Sequence, residues 1–136
     1  MRQDASMAKR ILVVDDEGDF TELVQFRFQD SGYELDFAAA GIEALNKARR
    51  TLPDLILLDL LLPDLDGLTM CEMLRRLPST RGTPIIMISA LSSDVTKFSA
   101  RVAGVDQFFS KPVNFAELKA SVEKLLVAPS AYTHES

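Results

Sequence analysis

Three runs of four apolar residues constrain this chain more than anything else in it: Ile-Leu-Val-Val at 11–14, Leu-Ile-Leu-Leu at 55–58 and Ile-Ile-Met-Ile at 85–88. Each is too short for a buried helix and suits a strand covered on both faces, as in a parallel sheet between helical layers. The segments between them have helical spacing instead. Residues 17–31 put Phe20, Leu23, Val24 and Phe28 on one stripe and stop at Gly32, while Phe26 lies off the stripe, as a flank of the core or an exposed contact. Residues 41–52 carry Ile42, Leu45 and Ala48 inward and end at Pro53. Residues 68–77 have a broad apolar face of Met70, Cys71, Met73 and Leu74, with Cys71 read as core packing. Residues 93–103 have only Val95, Phe98 and Val102 as anchors before Gly104. In the last helix Asn114 is the cap, Glu117 stands at the reciprocal position, and Phe115, Leu118, Val122, Leu125 and Leu126 form the stripe. Weaker strands at 33–38 and 107–109 complete five strand–helix units. The fold class is therefore α/β, a doubly wound five-stranded parallel sheet with five helices and right-handed crossovers.

At 136 residues the chain suits a single domain, expected over 10–127. Residues 1–9 read as a disordered tail, with Met7 an alternative start, and 128–136 as a flexible polar tail. No run approaches the ~18 apolar residues of a membrane span, and the N-terminus has no apolar signal core. The single Cys71 excludes an internal disulfide and fits a reducing compartment, so the expected location is cytoplasmic. A net charge of −5 argues against nucleic-acid binding, and the lone His134 leaves no histidine cluster for zinc or acid–base work.

Ligands of such sheets sit beyond the carboxyl ends of the strands, near the point where strand order reverses. Polar residues stand at those ends: Asp15 and Asp16 after strand one, Asp59 after strand three, Ser89 after strand four and Lys111 after strand five. Singly, each has a plainer reading. Asp16 could cap a helix, Asp59 could lie in a surface turn, Ser89 could satisfy a strand end, and Lys111-Pro112 could be a solvated turn. Their joint placement is harder to dismiss. Three converging carboxylates need a counter-charge, and one lysine is not enough. A hard divalent cation with oxygen ligands answers the need, and magnesium suits a shallow site of carboxylates and waters.

These residues resemble the receiver domain of bacterial two-component response regulators. The likeness rests on Asp15-Asp16 after Ile-Leu-Val-Val, on Asp59-Leu-Leu-Leu-Pro63-Asp-Leu-Asp-Gly67, on Ile-Ser89-Ala90, and on Phe108-Phe-Ser-Lys111-Pro112, and it spans about 10–127. It implies a CheY-like, flavodoxin-like sheet in order 2-1-3-4-5 and phosphorylation of Asp59 by a histidine kinase or histidine phosphotransfer protein. By the same resemblance Asp16, Asp59 and the backbone carbonyl of Leu61 would hold Mg2+, and Asp15 would act through a bound water. Lys111 would pair with Asp59 and then with a phosphoryl oxygen. Ser89 would hydrogen-bond the phosphoryl group while Phe108 turns inward as an aromatic switch, and the Lys111–Pro112 bond would be cis. The domain would catalyse its own phosphoryl transfer and dephosphorylation without being a turnover enzyme. Its helix 4, strand 5 and helix 5 surface would control a downstream effector or a missing output domain, with a phosphorylation-dependent dimer among its partners. Leu61 and Leu91 depart from the more polar residues common at their positions and bear on the lifetime of the phosphorylated state.

Three other readings compete. A degenerate receiver would not keep the acidic pair, Asp59, Ser89 and Lys111 together. A phosphohydrolase with an aspartyl intermediate generally wants an acid two residues after the nucleophile, where Leu61 stands. A flavin module would want a Ser/Thr/Gly-rich phosphate loop after strand one, and none is there.

Overall fold

The computed structural model describes residues 8–127. The expectations for 1–7 and 128–136, Met7 and His134 among them, lie outside the described residues. Five strands alternate with five helices: β1 Arg10–Val14, α1 Gly18–Arg27, β2 Glu34–Ala38, α2 Gly41–Thr51, β3 Leu55–Asp59, α3 Gly67–Arg76, β4 Ile85–Ser89, α4 Asp94–Ala103, β5 Gln107–Ser110 and α5 Phe115–Val127. The sheet is parallel throughout, in the order β2-β1-β3-β4-β5. This is the flavodoxin-like topology, and its order reverses between β1 and β3. Register pairs Val14 with Leu58 and Asp59 with Ile88, so the polar ends of the three central strands finish side by side.

The two-residue period of the strands divides the core. Leu12, Val14, Ile56, Leu58, Ile85 and Met87 meet Ala44, Leu45, Ala48, Met70, Cys71, Leu74, Ala100 and Ala103 on the α2/α3/α4 side. Ile11, Val13, Leu55, Leu57, Ile86 and Ile88 meet Val24, Phe28, Phe115, Leu118 and Val122 on the α1/α5 side. Both layers close over β1, β3 and β4, which is why these three strands read as uninterrupted apolar runs.

Several helix-face expectations are corrected. Ile42 and Leu23 are exposed, and Ala44 and Val24 take the inward positions. Helix α1 ends at Arg27 rather than 31, because Phe28 leaves helical geometry and the chain turns through Ser31 to Gly32, which holds a positive φ of 84°. On α4 all three expected anchors, Val95, Phe98 and Val102, face solvent, and Ala100 and Ala103 make the core contact. Small residues there let the helix lie close to the sheet, so the apolar stripe is left on the outside. Phe26 is exposed rather than a flank of the core, with 63% of its surface open. Lys9, assigned to the tail, already accepts a hydrogen bond from Glu34 N.

A buried ion pair closes the far end of this layer. Arg75, on the last turn of α3, bonds Asp106 at 3.0 Å and donates to the carbonyls of Gly104, Arg81 and Thr83. Asp106 in turn accepts from Ile85 N. Removing water from two charges is costly unless their hydrogen bonds are complete. The carbonyls and Ile85 N surround the pair and tie the end of α4 to α3 and to the start of β4.

Candidate functional site

The crevice at the sheet's carboxyl edge is built by three loops. The first leaves β1. Asp15 is buried, and one of its oxygens accepts from Glu17 N at 2.8 Å, turning the chain into α1. Asp15 N donates to Ala38 O, which fixes the β1 end against β2. Asp16, the next residue, is exposed.

The second loop leaves β3. Asp59 is buried, with Leu61 N donating to its Oδ1 at 3.4 Å. The loop is held at both ends. Gly67 N donates to Leu60 O at 2.7 Å, and a Cβ on Gly67 would stand only 2.5 Å from the Asp59 carbonyl oxygen, so α3 can start there only on glycine. Asp66 caps α3 through Thr69 N. Asp64 reaches sideways to accept from Gly41 N and Ile42 N at the start of α2, and these bonds hold its carboxyl below the usual range.

The third wall comes from β4 and β5. Ser89 is fully buried and its Oγ accepts from Leu91 N at 3.0 Å. Lys111 N donates to Ser89 O, and the Lys111–Pro112 peptide is cis, as expected. Phe108 is half-buried against the α2/α3/α4 side.

Oxygens of Asp15, Asp16 and Asp59 lie within 4.8 Å of one another. Lys111 Nζ is the nearby cation, 2.8 Å from Asp15, 2.7 Å from Glu17 and 3.7 Å from Asp59. Its approach to Asp59 is therefore the longest of the three, an ion pair without a hydrogen bond. Sequence reasoning missed Glu17, although it is the next carboxylate after the acidic pair. It also missed Asp64, whose partner Gly41 is 23 residues away.

The electrostatics follow from burial. Asp59 is pushed up to about 6, by desolvation first and then by the Asp15 charge, against which Lys111 works only in part. Asp15 is raised as well, by burial, although Lys111 and Glu17 N pull it down. Burial opposes the charge on Lys111, but its bonds to Asp15 and Glu17 outweigh that and raise it. The crevice holds more negative charge than it can comfortably keep. Three hard oxygen donors under such strain fit a divalent cation such as magnesium.

A parallel sheet in this order, with acids at the ends of β1 and β3 and a lysine after β5, defines a receiver. The response regulator receiver domain family model matches residues 11–123, and the chain belongs to this family of two-component response regulators. It is 40% identical over 120 residues to the alkaline phosphatase synthesis transcriptional regulatory protein PhoP of Bacillus subtilis, covering 88% of this chain and 49% of that protein. The chain thus spans about half the length of that relative. Among solved structures it is similar to a CheY-like response regulator receiver domain protein of Methanospirillum hungatei, with TM-score 0.81 and 31% identity over 88% of this chain and 94% of that one. It is also similar to the receiver domain of sensor histidine kinase PA1611 of Pseudomonas aeruginosa, with TM-score 0.82 and 28% identity over 89% and 99% of the two chains. That structure has a magnesium ion coordinated in its active site cleft.

Proposed function

We propose that Asp59 is the phosphoacceptor of a magnesium-dependent transfer from a histidine kinase or histidine phosphotransfer protein. The observation that carries this reading is a buried carboxylate, raised to about 6, standing between two further acids and a lysine at one sheet edge. An Asp59 oxygen attacks phosphorus, the bond to the donor breaks, and the product is an acyl phosphate. Such transfer asks the protein mainly for positioning and charge neutralisation. Asp16, Asp59 and the Leu61 carbonyl would hold the metal, with Asp15 acting through a water. Bound there, magnesium neutralises phosphoryl oxygens. Lys111 supplies the second positive charge.

Ser89 is the sensor. Its hydroxyl accepts from Leu91 N and still has a proton to donate. A phosphoryl oxygen offers it a charge-assisted bond that exists only in the modified state, the differential energy a switch requires. Phe108 would then turn inward and remodel the α4, β5 and α5 surface, which acts on an effector protein or an output domain and supports dimerisation of the phosphorylated form. Leu61 and Leu91 are both exposed beside the crevice and hold no group that could orient a hydrolytic water, so the acyl phosphate should be long-lived.

Acetyl phosphate labelling followed by peptide mass spectrometry tests the assignment. Label is expected on Asp59, lost with a chelator and absent from Asp59→Asn, with no turnover of small phosphoesters. Labelling of Asp59→Asn to the wild-type level would overturn it. Loss of label after donor removal gives the lifetime, and replacing both leucines as Leu61→Asn with Leu91→Glu should shorten it about tenfold, the loss of ~1.4 kcal/mol in barrier.

A further inference from the structure

Lys111 is not where the transfer needs it. Its ammonium is bonded to Asp15 and Glu17, and the approach to Asp59 at 3.7 Å is too long for a hydrogen bond. The face of the Phe20 ring lies 4.6 Å from Nζ and supplies a cation–π contact. Phe20 is itself fixed, because its ring stacks on Phe115 of α5 at 6.3 Å, and Phe20 N bonds Glu17 O. Glu17 and Phe20 thus belong to one turn at the start of α1. Together with Asp15 they form a berth of one ring and two carboxylates. The two carboxylates play different parts. Asp15 is buried beside Asp59, and a lysine bonded to it stays in the crevice. The Glu17 side chain is 63% exposed and draws the ammonium toward the rim.

We propose that Glu17, seated with Phe20 on the first turn of α1, is a positioning residue that holds Lys111 in reserve and competes with the phosphoryl group for it. The proposal rests on Asp59 being the phosphoacceptor. A phosphoryl oxygen carries more charge than a solvated carboxylate, so it can draw Lys111 from Glu17. Because Glu17 is largely in water, the berth is weak and its release costs little. A fully buried partner in the same place would trap the lysine. The berth also explains why a fourth acid stands beside an already overcharged crevice: it takes up a lysine that would otherwise settle on Asp59 before the donor arrives.

The test compares wild type with Glu17→Gln and with Asp19→Asn, which removes a charge from the same end of α1 without contact to Lys111. The first readout is the 15N resonance of Lys111 Nζ in the metal-free protein. The second is affinity for beryllofluoride, a phosphoryl mimic, at fixed magnesium. Glu17→Gln is expected to move the resonance and to tighten mimic binding about two- to fivefold, as loss of a weak exposed competitor allows. Asp19→Asn should do neither. An unmoved resonance in Glu17→Gln, or equal tightening in both variants, overturns the berth. A wild-type protein that binds no beryllofluoride overturns the phosphoacceptor reading itself, and the competition with it.

Discussion

Helices α3 and α4 are each ten residues long and lie against the same face of the sheet, yet they are attached in opposite ways. Helix α3 sinks Met70, Cys71 and Leu74 completely and buries the Arg75 guanidinium at its end. Helix α4 gives the core two alanines and turns Val95, Phe98 and Val102 to solvent, Phe98 with 64% of its surface exposed. An apolar stripe therefore does not say which way a helix faces. Helix α3 belongs to the body of the domain. Helix α4 is fastened at its end by the Arg75–Asp106 network and at its start by little more than the Ser93 cap. An element with so little buried surface is the one a local change can move at least cost.

The contrast can be broken most directly at the shared fastening. Arg75→Ala would leave Asp106 charged and buried, and denaturant unfolding should show a loss of about 3–5 kcal/mol. A loss below ~1 kcal/mol would mean that the α4 terminus is held by something other than this pair. The next effect compares the helices themselves. Leu74→Ala on α3 should cost about 2–5 kcal/mol, while Phe98→Ala on α4 should stay within ~0.5 kcal/mol. Equal costs would erase the distinction.

Acidity sharpens the comparison, because Asp59 lies on the body side of it. Its carboxyl titrates near 6 when folded and at the ordinary 3.8 when unfolded. Between those values the folded protein holds a proton that the unfolded chain has lost, so stability is greatest below pH 3.8 on this account and falls as pH rises through about 6. Metal-free protein should therefore melt higher at pH 5 than at pH 7.5, by about 1.4 kcal/mol, since only about one pH unit of that interval lies below the folded value. Asp59→Asn should flatten the dependence and stabilise the metal-free fold at neutral pH by about 1–3 kcal/mol. Asp15→Asn should gain less, because it also removes the Lys111 bond at 2.8 Å. A pH dependence unchanged in Asp59→Asn would place the strain elsewhere. The smallest effect belongs to α4 alone. Ser93→Ala should cost about 0.5–1 kcal/mol, seen in hydrogen exchange as faster opening of the first turn of α4 with no change in α3.

Most of the architecture was legible because a strand buried on both faces leaves an unbroken apolar run, and the polar residue that ends it marks the crevice. Asp15, Asp59 and Ser89 could be placed on that rule alone. The helix faces were less legible. Ile42 and Leu23 fit the helical period as well as their buried neighbours do, and only the sheet decides which turn it meets. For α4 the rule that large apolar residues point inward reversed, since Ala100 and Ala103 permit a closer approach than Phe98 would. Glu17 escaped notice for another reason. Its role comes from Lys111, 94 residues away, and no local spacing encodes that contact.

The buried thiol of Cys71 has a practical consequence. It donates to Ala103 O at 3.3 Å across the α3–α4 contact, and burial pushes it up to about 11. A protonated thiol out of reach of water is a poor nucleophile. The native chain, which has no other cysteine, therefore supplies a silent background for alkylating probes. A cysteine placed at Val95 or Val102 on the outer side of α4 would carry a spin label or dye by itself. Whether that helix moves when the phosphoryl mimic binds could then be measured without first altering the core it leans on.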